Sequence, residues 1–188
     1  MDALLTTFIA AALAEIGDKT QFLVIALAAR FGRPLPVLAG VAAAALVNCV
    51  LAAFGGTLIN GFITLRAISL LVAVALVFAG VSGLIRSKQP EMGADWKTDA
   101  FITTAACFFL LEFGDKTQFL TAALAAQYDS LLLAGLGATL GVVAANAPGA
   151  LLGDRLTELV PLRIIRVSIA VLFVVAGAIV AVNALRLV

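Results

Sequence analysis

Apolar residues dominate six stretches of the chain, and each stretch is long enough to cross a membrane as a helix. A hydrocarbon core about 30 Å thick needs roughly 20 apolar residues at 1.5 Å of helix per residue. Short polar or turn-forming segments separate the stretches. The predicted spans are residues 3–29, 35–59, 67–86, 100–127, 131–153 and 163–186. This pattern predicts an all-α integral membrane protein with six transmembrane helices.

Composition agrees with this prediction and removes several functions. Hydrophobic residues make up 63% of the 188-residue chain and charged residues only 12%, whereas about a quarter of a soluble domain is charged. No block of basic residues suggests a nucleic-acid partner, so none is expected, and the net charge of +1 says nothing on this point. The chain has no histidine, which excludes imidazole-based zinc, copper or iron sites and histidine general base catalysis. The N-terminus lacks a charged region before its apolar residues, so we expect a first span and not a removed signal peptide.

A nine-residue segment at 15–23 returns at 112–120 with eight identical positions. The same offset of 97 relates residues 26–29 to 123–126, and Asn48 and Asn146 take equivalent mid-span places at an offset of 98. The predicted units are a first three-helix repeat at 1–88, a cytoplasmic linker at 89–98 and a second repeat at 99–188. Because each repeat has an odd number of spans, the two must enter the membrane from opposite sides. Such inverted repeats are common in secondary transporters.

Lysine and arginine are unevenly divided between the two sides of the predicted bundle. Eight lie on one side and two on the other, apart from the two lysines inside spans. The larger set comprises Arg30, Arg33, Arg86, Lys88, Lys97, Arg155, Arg163 and Arg166, and the smaller set Arg66 and Arg186. Basic residues favour the cytoplasmic side. We therefore expect both termini on the non-cytoplasmic side. The expected location, as a separate prediction, is the bacterial inner (plasma) membrane.

Each copy of the repeated segment places two carboxylates near the middle of a span. Glu15 and Asp18 are spaced i, i+3, which puts them on one face of a continuous helix, and so are Glu112 and Asp115. Carboxylates are expensive inside hydrocarbon, so their presence at matched depth indicates a function. We predict that all four are metal ligands and that they can converge, while the sequence leaves open whether the two motifs form one site or two alternating half-sites.

Charge counting makes the predicted site more specific. Four ionised carboxylates contribute −4, and Lys19 and Lys116 contribute +2 if both stay close. The remaining −2 would cost several kcal/mol in a low dielectric if nothing neutralised it. One divalent cation or two protons would do so, which is the minimal requirement for exchange. The disposition of the two lysines is open at this point.

Oxygen-only ligands suit hard cations such as Mn²⁺, Ca²⁺ and Mg²⁺. Gly17 and Gly114 could unwind the helices locally and free backbone carbonyls for coordination, as in discontinuous transporter helices. Neutral side chains nearby could add ligands or instead form interhelical hydrogen bonds. These possible additional ligands are Thr20, Gln21, Thr117, Gln118, Asn48 and Asn146.

The two copies of Glu-x-Gly-Asp-Lys-Thr, one in each half, resemble the Gdt family. Its members are the Golgi-type manganese/calcium transporters and their bacterial manganese-exporting relatives. The resemblance covers essentially the whole chain in length, span count and repeat, and both copies fit without departure. It implies cation/proton exchange that moves Mn²⁺ or Ca²⁺ out of the cytosol, with the acidic motif residues as ligands. Some members have a longer acidic central loop, and here the linker is short.

We therefore expect a secondary transporter that exports a divalent cation in exchange for protons. An exporter of a small organic cation, such as a basic amino acid, is an alternative. Its site would need an anchor for the substrate carboxylate, for which only Lys19 and Lys116 are available. A metal-dependent intramembrane hydrolase is more remote, because the motifs contain no histidine and no nucleophilic serine.

The expected protein is not an enzyme and has neither catalytic residues nor a bound cofactor. Its expected partners are membrane lipid, the transported cation and protons. The sequence assigns no oligomeric state and does not choose between Mn²⁺ and Ca²⁺.

Overall fold

The structure is a computed structural model that describes residues 1–85, 97–153 and 155–185. Across these ranges the chain forms helices and no strand, which confirms the all-α prediction. The helices are α1 (Asp2–Glu15), α2 (Lys19–Phe31), α3 (Pro34–Asn60), α4 (Leu65–Leu84), α5 (Ala100–Glu112), α6 (Lys116–Tyr128), α7 (Leu131–Leu152), α8 (Arg155–Leu159) and α9 (Leu162–Leu185). Most of the predicted linker at 89–98 lies outside the described residues, as do Arg86, Lys88 and Arg186.

Four described helices are long and apolar enough to cross a membrane: α3, α4, α7 and α9. The other two predicted spans, at 3–29 and 100–127, are not continuous helices. Each is divided into two helices of 13 or 14 residues. At 1.5 Å per residue, each of these helices extends only about 20 Å, less than the thickness of a bilayer core.

Both divisions fall at the repeated glycine. Gly17 has φ +74° and Gly114 has φ +76°, a left-handed conformation that glycine adopts without the steric penalty of a Cβ. The next residue, Asp18, is extended at φ −82° and ψ 169°, and α2 begins only at Lys19. The prediction that Glu15 and Asp18 share one helix face is therefore wrong, because a glycine turn separates them, and the same holds for the second copy.

Helices α4 and α9 run antiparallel along each other. A Cβ on Gly80 would lie 2.6 Å from the Ala170 carbonyl oxygen, and one on Gly177 would lie 2.9 Å from that of Ala73. At the other end of the pair, Arg66 Nε donates a hydrogen bond of 2.8 Å to the carbonyl of Ala184. The two glycines let the backbones approach closely. Their two contacts are equivalent, because Gly80 and Gly177, like Ala73 and Ala170, are 97 residues apart in the sequence.

The same offset relates contacts elsewhere in the molecule. Gly40 of α3 lies against Thr104 of α5, and Gly137 of α7 lies against Thr7 of α1. The beginnings of α1 and α7 therefore pack as the beginnings of α5 and α3 do. This arrangement brings the two glycine breaks together, which positions the candidate site.

Candidate metal centre

Three carboxylates meet where the broken helices face each other. Glu15 ends α1, Glu112 ends α5, and Asp18 immediately precedes α2. One oxygen from each of these side chains lies within 4.8 Å of the other two. All three residues are buried, with exposed fractions of 0% for Glu15, 5% for Asp18 and 3% for Glu112. The structure thus brings together three of the four predicted ligands, drawn from both halves of the chain.

The fourth predicted ligand, Asp115, forms an ion pair beside this cluster. Its Oδ1 accepts a hydrogen bond of 2.9 Å from Lys19 Nζ. Reciprocally, Lys116 Nζ lies 2.5 Å from Asp18 Oδ2. Each lysine therefore pairs with the aspartate of the other motif. This geometry supplies the disposition of the lysines, which the sequence left open.

The charged groups of the cluster have a negative net charge. Glu15, Asp18 and Glu112 contribute −3 when ionised, and Lys116 contributes +1 from within ion-pair distance. Lys19 and Asp115 cancel each other. The sum is −2, and uncompensated charge of this size is strongly disfavoured in a buried site. A divalent cation or two protons would neutralise it.

The two glutamates of the cluster differ in their hydrogen bonds. Both carboxylate oxygens of Glu15 accept a hydroxyl, from Thr20 at 2.7 Å and from Thr117 at 2.6 Å. By contrast, Glu112 Oε1 is buried and has no hydrogen-bond partner among the described residues. Buried polar atoms are normally satisfied. The bare oxygen of Glu112 is therefore the atom of the cluster that is best placed to coordinate a cation.

The two motif glutamines hold the glycine breaks in shape. Gln21 Oε1 accepts a hydrogen bond of 2.9 Å from the Gly17 amide, and Gln118 Oε1 accepts one of 2.8 Å from the Gly114 amide. Their amide groups donate across to the neighbouring span, from Gln21 to the Ala145 carbonyl at 2.7 Å. The structure thus gives both glutamine oxygens a hydrogen bond from a backbone amide.

The two asparagines are not structurally equivalent. Gln118 donates to the carbonyl of Asn48 at 3.3 Å, just as Gln21 donates to that of Ala145. The two contacts are related by the offset of 97, so the position that corresponds to Asn48 in the second half is Ala145. The equivalence of Asn48 and Asn146 predicted from the sequence is therefore wrong by one residue. The Asn48 side chain accepts from Gln118 at 3.1 Å. Asn146 is fully buried, and its Oδ1 has no hydrogen-bond partner among the described residues.

Two features of the site were not predicted from the sequence. A cavity of about 540 Å³ lies between α3, α4 and α6 and reaches Gly114 and Asp115. On the other side, the aliphatic part of Arg166 lies against Gly17. The cavity depends on how helices pack, which no local pattern records. Arg166 did carry a signal, because it lies inside an apolar stretch, but the sequence analysis used it only to count charges.

Comparison with known proteins identifies the family. The family model described as "Divalent cation/proton antiporter GDT1" matches residues 3–91 and 100–187 of the chain. A protein of Vibrio cholerae serotype O1 (strain ATCC 39541 / Classical Ogawa 395 / O395) is 36% identical over 174 residues, which cover 92% of this chain and 87% of the relative. That relative carries the name "Putative manganese exporter". No solved structure matches the chain.

These matches agree with the geometry of the site. Apolar membrane-crossing helices surround a buried acidic cluster that is assembled from two copies of one motif. The matched regions take in both motifs and nearly all of the described helices. The chain therefore belongs to the GDT1 family of divalent cation/proton antiporters, and it is a membrane transporter and not an enzyme.

Proposed function

We propose that this protein exports a divalent cation, with Mn²⁺ as its main cargo, in exchange for protons. The observation that carries the proposal is the cluster of Glu15, Asp18 and Glu112, whose oxygens lie within 4.8 Å of one another. A cluster of buried carboxylates with a net charge of −2 needs two positive charges, and one divalent cation or two protons supply them. A transporter that alternates between the two cargoes exchanges one for the other.

The proposed architecture has six spans in two inverted three-span repeats. In this arrangement, α1 with α2 forms one discontinuous span and α5 with α6 forms another. The antiparallel packing of α4 and α9, together with the contacts that recur 97 residues apart, supports the inversion. The family model also matches each half separately. Discontinuous helices that meet near the membrane midplane are a frequent form of ion site in secondary transporters.

In the proposed mechanism, Glu112 and Glu15 bind the cation first and Asp18 joins them. Glu112 offers a bare oxygen, while Thr20 and Thr117 hold Glu15 in position. Asp18 joins the cation while Lys116 stays close enough to keep the net charge at −2. Protons that arrive from the opposite side then neutralise the same carboxylates and release the cation. Asp115 joins in the same way while Lys19 stays beside it.

Mn²⁺ is proposed as the main cargo, and Ca²⁺ as its competitor, because the cluster offers only hard oxygen ligands. The name of the Vibrio cholerae relative favours Mn²⁺. Export of a basic amino acid is disfavoured, because both available lysines already pair with aspartates. From the distribution of basic residues, we propose that the termini lie on the non-cytoplasmic side. The relative from Vibrio cholerae supports the bacterial inner membrane as the proposed location.

Uptake of radiolabelled Mn²⁺ and Ca²⁺ into inside-out vesicles tests this function. We expect uptake driven by an acidic vesicle interior, competition between the two metals and no competition by lysine. Glu112→Gln should lower uptake by about a thousandfold, whereas Glu158→Gln should leave it unchanged. Glu158 is a suitable control because it is exposed on α8, away from the cluster. Proton-independent uptake, or normal uptake by Glu112→Gln, would contradict the proposal.

A further inference from the structure

The start of α9 covers the first glycine break. A Cβ on Gly17 would lie 3.0 Å from Arg166 Cβ and 3.0 Å from the Leu162 carbonyl oxygen. At the second break, a Cβ on Gly114 would meet no described atom within 4 Å. The position in α4 that corresponds to Arg166 at the offset of 97 is Ser69. One break is therefore covered by an arginine, while its counterpart is left uncovered.

Arg166 carries a permanent positive charge and forms no ion pair with the acidic cluster among the described residues. Arg166 lines a space of about 10 Å³ together with Asp18 and Lys116, which leaves room for no more than about one water molecule. Its Nε is buried without a hydrogen-bond partner among the described residues. Such a donor costs about 1–3 kcal/mol, and an uncharged side chain would cover Gly17 without this cost. Packing alone therefore does not account for an arginine here.

The uncovered break borders the cavity between α3, α4 and α6. The cavity beside Asp115 is lined by α3 residues as far as Ile59, next to the beginning of α4. That end of α4 pairs with the end of α9 through Arg66, which donates to Ala184. Arg166 lies near the beginning of α9. Arg166 therefore lies at the end of the α4–α9 pair that is opposite to Arg66.

We propose that Arg166 is the gate that closes the cation site at the end of the bundle that carries α8. This proposal rests on the proposed transport function. With the beginning of α9 against the break, the guanidinium fills the route to Asp18 and repels an approaching cation. When the beginning of α9 withdraws, Asp18 becomes accessible from that end. Arg166 is thus a positioning residue, which acts on cation access and does not ligate the cation.

The gate is tested with full-length protein in proteoliposomes, using Arg166→Met and Arg166→Lys. Methionine keeps part of the aliphatic packing and removes the charge, while lysine keeps the charge. Arg163→Met is the matched control, because Arg163 is exposed on the same helix. We expect Arg166→Met to raise Mn²⁺ leakage in the absence of a proton gradient by about tenfold, within the range of coupling effects between sites. Arg166→Lys and Arg163→Met should leak as the wild type does.

A second measurement does not require transport. Amide hydrogen exchange of residues 16–19 in the purified protein should be faster in Arg166→Met, while exchange of residues 113–116 should not change. If Arg166→Met does not fold, Arg166→Gln replaces it in both experiments.

The outcomes separate the two proposals. Unchanged exchange at 16–19, unchanged leakage beside a transporting wild type, or equal leakage by Arg166→Lys and Arg166→Met would overturn the gate. A wild type that moves no metal would overturn the proposed function, while faster exchange at 16–19 in Arg166→Met would still support the gate.

Discussion

The first glycine break lies beneath the beginning of α9, while the second borders a cavity of about 540 Å³. The two motifs differ at a single position of nine, and their backbones turn alike at Gly17 and Gly114. The difference therefore comes from residues outside the motifs. Arg166 in the second half corresponds to Ser69 in the first half. Arg166 covers the first break, whereas α4 leaves the second break uncovered.

This asymmetry extends into the acidic cluster. Thr20 and Thr117 come from different motifs, yet both donate to Glu15 and leave Glu112 Oε1 without a partner. Two nearly identical motifs thus have different surroundings. For a transporter, that is a useful consequence, because a site open at both ends would dissipate the gradient that drives it.

The largest expected effect is the loss of metal uptake when either glutamate is replaced, and a difference in stability separates the two variants. Glu112→Gln and Glu15→Gln should each lower metal uptake by about a thousandfold, which corresponds to about 4 kcal/mol of lost interaction with a buried charge. Only Glu15→Gln also loses two hydrogen bonds to a charged acceptor, from Thr20 and Thr117. It should therefore be less stable than Glu112→Gln by about 1–3 kcal/mol. Metal uptake in vesicles and thermal unfolding in detergent measure the two effects, and equal stabilities would contradict the asymmetry.

The next largest expected difference is in stability, between variants of the two lysines. Lys116 is 4% exposed and pairs with Asp18, so Lys116→Gln leaves a buried carboxylate uncompensated at a cost of about 3–5 kcal/mol. The side chain of Lys19 is 27% exposed, and Lys19→Gln should cost about 1 kcal/mol or less. Thermal unfolding of both variants without added metal checks this order. A larger loss for Lys19→Gln would mean that the pair with Asp115 is the structural one.

The third expected difference is in stability, between alanine substitutions at the two glycines. Alanine at either position has an unfavourable left-handed backbone, which costs about 1–2 kcal/mol. Gly17→Ala adds contacts at 3.0 Å with Arg166 and Leu162, while Gly114→Ala enters open space. We therefore expect Gly17→Ala to lose about 1–3 kcal/mol more, the usual cost of overpacking. Thermal unfolding again measures the difference. Equal losses would show that α9 moves away from the break readily.

Much of this structure could be predicted from the sequence, because its strongest signals are local or repeated. Apolar length predicted α3, α4, α7 and α9, and the duplicated motif predicted that Glu15 and Glu112 would meet. The i, i+3 argument failed because the left-handed Gly17 outweighs helix propensity at that point. The pairing of Lys116 with Asp18 and the cover by Arg166 depend on packing between distant segments, which the sequence does not encode locally.

The smallest expected effect concerns Asn48 and Asn146. Asn48 links α3 to α5 and α6, through the Phe109 carbonyl and the Gln118 amide, so Asn48→Ala should lower stability by about 1 kcal/mol. Asn146 donates only within its own helix, to the Val142 carbonyl at 2.9 Å, and its oxygen is unpartnered in the described structure. If that oxygen serves the cation, Asn146→Ala should weaken Mn²⁺ binding by about threefold to tenfold with little change in stability. Mn²⁺ titration beside thermal unfolding distinguishes the two variants. Loss of stability without loss of affinity in Asn146→Ala would instead make it a packing residue, and the difference between the halves would then end at Glu112.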